Sequence, residues 1–144
     1  MGTMVSRLVK AALGVAVVAG GALAAQGPAQ AADGPHHWMY TDDSGSGGRV
    51  DFWPDGDIVQ LCDKASDGAR AEVDVYDNGG YLYHLEAAGN GVCGTRRASD
   101  GGKYDLAENH CFTFVIYLTD GGVVIPASRD VAQWVNDNND SKSC

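Results

Sequence analysis

Asp55, Asp57, Asp63 and Asp67 crowd the stretch "PDGDIVQLCDKASDG". Carboxylates at such spacing can shape turns, hold a hard cation, or work as an acid and base pair. Turn formation is the simplest account. Asp55, Asp67, Asp77, Asp100 and Asp120 each lie beside a glycine or one residue away from it. An Asp side chain accepts a bond from the backbone of its own turn while glycine takes the left-handed conformation. Calcium is the alternative, because it takes six to eight oxygens from carboxylates and loop carbonyls. Asp55 and Asp57 form a D-x-D pair, and Asp63 and Asp67 add carboxylates from the next loop. These four are the calcium candidates. "DNNDS", from Asp137 to Ser141, opens like a calcium loop but has Lys142 where an EF-hand needs glycine.

Acid–base catalysis is a poorer reading. Two carboxylates serve a glycosidase, but with 19 acidic residues some pair is always at hand. No G-x-S-x-G and no H-E-x-x-H occurs, so neither a serine hydrolase nor a zincin is indicated. His84 and His110 read as ordinary surface or core histidines. No catalytic residues are assigned, and the chain is expected not to be an enzyme.

The elements that must position these groups begin after residue 32. Arg7 and Lys10 precede the apolar run "AALGVAVVAGGALAA", and small residues at Ala29 and Ala31 complete the pattern of a secretory signal peptide over residues 1–32. Its removal takes two of the 10 basic residues and no acidic one, leaving net −11 on the exported part. A surface so acidic repels nucleic acid and anionic lipid. After Ala32 no run approaches the roughly 20 apolar residues of a membrane span, so no membrane insertion is expected. The oligomeric state is not legible.

All four cysteines, Cys62, Cys93, Cys111 and Cys144, follow the signal. An even count in a small exported chain predicts two disulfides. Three pairings are open; Cys93–Cys111 with Cys62–Cys144 is favoured, one stapling a glycine-rich loop and the other the C-terminus. No C-x₂₋₄-C spacing supports a zinc site.

Residues 33–48 read as a lead-in with a flexible Ser/Gly loop, and residues 49–144 as one β-domain. Val50 and Phe52 share a face, as do Val59 and Leu61. In "ARAEVDVYD", Ala71, Val73 and Val75 oppose Glu72, Asp74 and Tyr76, a half-buried antiparallel strand. "YLYHLE" alternates likewise, with Tyr81, Tyr83 and Leu85 on one face. "CFTFVIYL" is apolar on both faces and reads as a central strand; "GGVVIP" reads as a short strand ended by Pro126. "DNGG" between two such runs is a hairpin signal. In "SRDVAQWVN", Ser128 as N-cap and Val131, Trp134 and Val135 at helical spacing predict a short C-terminal helix. The expected fold is mainly β: a small antiparallel β-sandwich or partly closed barrel of six or seven strands.

"FWPDGDIVQLCDKASDGARAEVDVY" with "CFTFVIYL" and the signal resembles the small secreted β-domain proteins of Streptomyces and related actinobacteria. They show F-x-x-x-G-D…D-x-x-x-D-G, matched here by Phe52, Gly56, Asp57, Asp63, Asp67 and Gly68. The resemblance covers most of residues 49–125 and implies the fold and export. That family is largely uncharacterised, so no activity follows from it.

Binding remains as the function class. Trp38, Tyr40, Trp53, Tyr76, Tyr81, Tyr83 and Trp134 supply the rings; those not needed in the core can stack on sugars or anchor a protein. Trp53, beside the first turn, is the partner-binding candidate. Arg96 and Arg97, in "CGTRRASDGG", are the one adjacent basic pair and suit a trypsin-like pocket if the domain is a protease inhibitor. The expectation is therefore a secreted non-catalytic binding domain for an extracellular protein or carbohydrate. A calcium-stabilised module, a protease inhibitor and a small secreted hydrolase are the alternatives.

Overall fold

Period-two alternation and Asp/Asn-Gly punctuation generate eight strands in the computed structural model, which describes residues 34–144. The signal segment, residues 1–32, lies outside the described residues. In chain order the strands are β1 (His37–Tyr40), β2 (Gly48–Trp53), β3 (Ile58–Asp63), β4 (Arg70–Asp77), β5 (Gly80–Ala88), β6 (Cys93–Arg96), β7 (Cys111–Asp120) and β8 (Val123–Val135). Two short 3₁₀ turns, Ala98–Asp100 and Gly102–Tyr104, lie between β6 and β7.

Two antiparallel sheets result, ordered β1-β2-β3-β6 and β5-β4-β7-β8. They form a β-sandwich. Met39, Val50, Phe52, Val59 and Leu61 of the first sheet face Val73, Val75, Tyr83, Leu85, Phe114 and Ile116 of the second. Phe52, Phe114 and Trp134 meet across the gap, with ring centroids 5.1 Å and 4.8 Å apart along that chain. The sheets approach closely where β2 starts. A Cβ on Gly48 would lie 3.0 Å from the Cβ of Ala71, so glycine there serves packing. β1 and the buried Gly47 and Gly48 thus bring part of the 33–48 segment into the fold.

The turns follow their chemistry. Asn78 and Gly79 both take positive φ, 46° and 86°, between β4 and β5, the combination that suits a two-residue hairpin to twisted strands. A register shift at Val75/Tyr76 then pairs Val75 with Tyr83 but Tyr76 with Tyr81. Tyr81 is therefore exposed while Tyr83 is buried, although alternation had put them on one face.

Two expectations are corrected. The C-terminal helix is strand instead: Val123 to Val135 is one 13-residue strand, so Pro126 does not end it. Ala132 and Trp134, two apart, pair with Phe114 and Phe112 on β7, and Val131 is exposed. The register slips between Ile116/Asp130 and Leu118/Ile125, leaving residues 126–129 as a bulge. Pro126, which has no N–H to give, falls in that bulge. Ser128 is not an N-cap. Fully buried, its hydroxyl accepts from the Leu118 N–H at 2.8 Å and donates to the Ile125 carbonyl at 2.6 Å. One side chain thus replaces the missing ladder bonds.

The disulfides pair Cys62 with Cys93 and Cys111 with Cys144, not the favoured alternative. Cys62 and Cys93 are register partners on adjacent strands β3 and β6. Cys93 and Cys111 belong to different sheets, and each is bonded to another partner, so the glycine-loop staple does not form. The C-terminus is pinned as expected, but to the start of β7. Two disulfides fit an oxidising compartment. Among the described residues no helix is long and apolar enough to cross a membrane.

Candidate functional site

Alternation gives the β1-β2-β3-β6 sheet an outer face of aromatic and polar side chains. Registers Tyr40↔Arg49, Trp38↔Asp51 and Asp51↔Gln60 set those residues side by side, and Gln60 reaches Thr95 on β6 at 3.2 Å. The Arg49 guanidinium lies 5.2 Å from the Trp38 ring and 5.4 Å from the Tyr40 ring, and the two rings meet edge to face at 5.6 Å. Trp38 is nonetheless 53% exposed. A large ring is thus held rigidly and left in water.

Asp51 organises the rest of this face. It is buried, and Oδ1 accepts from Arg49 Nη2 at 2.5 Å and pairs with His36 Nε2 at 2.7 Å. That bond seats the His36 ring flat on Trp53, at 4.4 Å between centroids. Trp53 is half-buried. It lines, with His36, Arg49, Asp51, Gln60, Cys62 and Lys64, an open depression of about 280 Å³. Sites that enclose a drug-sized ligand run from about 300 to 1,000 Å³; this one suits a single ring lying across the sheet. Asp51 is its one carboxylate.

The four calcium candidates do not converge. Asp55 and Asp57 precede β3, and Asp63 and Asp67 lie at and beyond its far end, roughly 20 Å away at a strand rise of about 3.3 Å per residue. Asp57 is buried, and its two oxygens take the Leu106 N–H at 2.7 Å and Asn136 Nδ2 at 2.8 Å. Asn136 also donates to the Leu106 carbonyl. Asp57 thereby ties the β2–β3 turn to the 97–110 loop and to the end of β8. Burial, opposed by these two bonds, pushes its carboxyl above the usual range. Asp63 accepts from the Ala65 and Gly89 N–H groups, and Asp67 from that of Ala69. Asp55 is exposed in its turn.

Arg96 and Arg97 lie apart from the aromatic face. Arg96 pairs with Val59 and its guanidinium sits 5.3 Å from the Tyr104 ring, on the side of β6 opposite Thr95. The Arg97 N–H is taken by Asp100, which closes the first 3₁₀ turn.

Trp53, expected to be exposed beside its turn, is half-buried, and its stacking partner and the roles of Arg49, Asp51 and Gln60 were not legible in the sequence. The signal lay in the polar half of "GRVDFW" and "IVQLC", once paired by register. A further cluster is assembled only by register: Glu72, His84 and Glu86, on the outer face of the other sheet, bring ligand atoms within 4.8 Å of one another.

No family model matches the chain, and no curated protein is similar to it. Among solved structures it is similar to the crystal structure of Parabacteroides merdae β-glucuronidase with glycerol in the active site, at 11% identity and a TM-score of 0.32. That match covers 69% of this chain and 13% of the other. So the chain spans a small part of that enzyme's length, and a likeness this slight carries no conclusion about activity.

Proposed function

We propose that the protein is a secreted, non-catalytic domain that binds saccharide on the outer face of the β1-β2-β3-β6 sheet. The observation that carries this reading is Trp38, exposed yet clamped by Tyr40 and Arg49, next to a depression walled by His36 and Trp53. A sugar ring has an apolar C–H face that stacks on such a ring and hydroxyls that need planar donors and acceptors. Arg49, Asp51 and Gln60 supply those, and Lys64 adds an ammonium donor. Holding the rings in place before binding reduces the ordering cost.

Export is supported by the signal-like leader and by two disulfides. The non-catalytic reading rests on the chemistry of the depression. Glycoside hydrolysis ordinarily takes two carboxylates about 5–9.5 Å apart, and here Asp51 stands alone, tied to Arg49 and His36. Co-sedimentation of the mature oxidised domain with insoluble cellulose, chitin and peptidoglycan tests the reading. Retention on one of them, lost at least tenfold in Trp38→Ala and unchanged in the Arg96→Ala/Arg97→Ala double variant, is the expected result. Retention that survives Trp38→Ala would sink it.

A further inference from the structure

The outer face of the β5-β4-β7-β8 sheet carries a different chemistry. Register sets Glu72 directly opposite Glu86, and Asp74 opposite His84. Like charges facing each other across a strand pair are destabilising, and a bound cation would relieve them. Arg70 offsets part of the charge, reaching Glu86 Oε2 at 3.1 Å. Glu72 and Asp74 carry the remainder around His84.

The imidazole is oriented as metal-binding histidines are. His84 Nδ1 lies 3.0 Å from Asp74 Oδ1, and Nε2 lies 3.5 Å from Glu72 Oε2. With a carboxylate accepting at Nδ1, the proton of the neutral ring sits there and Nε2 keeps its lone pair. A carboxylate behind the ring fixes the tautomer and raises ligand basicity. The supporting carboxylates are fixed in turn. Asp74 Oδ2 accepts from the Tyr117 hydroxyl at 3.1 Å, and Glu72 Oε1 from the Thr119 hydroxyl at 2.5 Å. Both free valences, His84 Nε2 and Glu72 Oε2, are left facing each other.

We propose that His84 Nε2, Glu72 Oε2 and a carboxylate oxygen of Glu86 form a three-ligand site for a zinc-type divalent cation, with a fourth position open to water or to an anionic ligand. Bonds of 2.0–2.2 Å in a tetrahedron put donor atoms about 3.3–3.6 Å apart, and His84 Nε2 and Glu72 Oε2 already stand 3.5 Å apart. Glu86 is the third ligand, with an oxygen already within 4.8 Å of the other two. It is exposed, and its Oε2 would exchange Arg70 for the cation. One imidazole and two carboxylates suit zinc better than calcium, which wants six to eight oxygens. The site is independent of the saccharide face, since the two lie on opposite outer surfaces of the sandwich.

The test uses the mature oxidised protein stripped with EDTA and titrated with zinc chloride by calorimetry, with thermal melts in parallel. One saturable equivalent is expected, with a melting temperature that climbs as free zinc exceeds the dissociation constant. His84→Ala and Glu86→Gln should each weaken binding at least tenfold, and Asp74→Asn about 10–100-fold by releasing the ring. His110→Ala, remote from the cluster, should bind as the wild type does. Glu86 is exposed, so Glu86→Gln keeps the test valid if His84→Ala folds poorly. No saturable zinc binding, or full affinity in Glu86→Gln and His84→Ala, would overturn the site. So would loss of binding in His110→Ala alone.

Discussion

At the scale of single residues, buried polar groups do more of the structural work than the exposed carboxylates that dominate the sequence. Asp57 combines a positive φ of 53° with two buried hydrogen bonds. Asp57→Ala strains the backbone and orphans the Leu106 N–H, so it should cost about 2–4 kcal/mol in denaturant unfolding. Added calcium should not restore it. The pH dependence has a definite sign. Burial raises the folded pKa of Asp57 above the usual 3.8, so between the two values the native state holds a proton that the unfolded chain has released. This group's contribution to stability therefore falls as pH rises through that window and is level above it. Asp57→Asn should remove that slope, read from melts at a series of pH values. Ser128 makes the second case. Ser128→Ala leaves the Leu118 N–H without its acceptor inside the sandwich and should cost about 1–3 kcal/mol. Neither role could be read from the sequence. "PDGD" looks like any Asx turn, and Ser128 before an apolar pattern looks like a cap. Each acts on a partner distant along the chain or across a bulge.

At the scale of elements, period-two alternation carried most of the fold. The faces of β2, β3 and β4 follow directly from Val50/Phe52, Val59/Leu61 and Ala71/Val73/Val75, and β7 is central as its apolar composition implies. The failure came at β8. Val131, Trp134 and Val135 mimic a helical spacing, whereas pairing with β7 packs Ala132 and Trp134 against the core and leaves Val131 in solvent. Long-range pairing overrode a local pattern. Disulfide connectivity failed for the same reason, since it depends on which strands become neighbours. The two bridges close loops of similar length, with sequence separations of 31 and 33, so the chain-entropy account gives each about 3–4 kcal/mol at most. They should not be equal in effect. Cys62–Cys93 joins two paired strands, whereas Cys144 ends a tail that follows β8 and can fray when released. Replacing Cys111 and Cys144 by serine should therefore lower the melting temperature less than replacing Cys62 and Cys93. The opposite order in paired melts would show that the tail stabilises the sheet.

At the scale of the whole molecule, the two sheets turn unlike faces to the solvent. One carries Trp38, Tyr40, Trp53 and Arg49; the other carries Glu72, Asp74, His84 and Glu86. The rings were visible in the sequence, but which of them a sandwich buries is set by topology. Trp134, partly buried, packs against the core; Trp53, also partly buried, lies on the outer face, and Trp38 stays exposed. That distribution makes the three tryptophans reporters of the saccharide-binding claim. The most direct measurement follows their indole N–H resonances in a ¹⁵N-labelled mature domain, titrated with soluble chitin, cellulose and peptidoglycan oligosaccharides. Binding on the β1-β2-β3-β6 face predicts saturable shifts of Trp38 and Trp53 with one of them, while Trp134 stays unmoved. No shift with any of the three, or a response confined to Trp134, would contradict it.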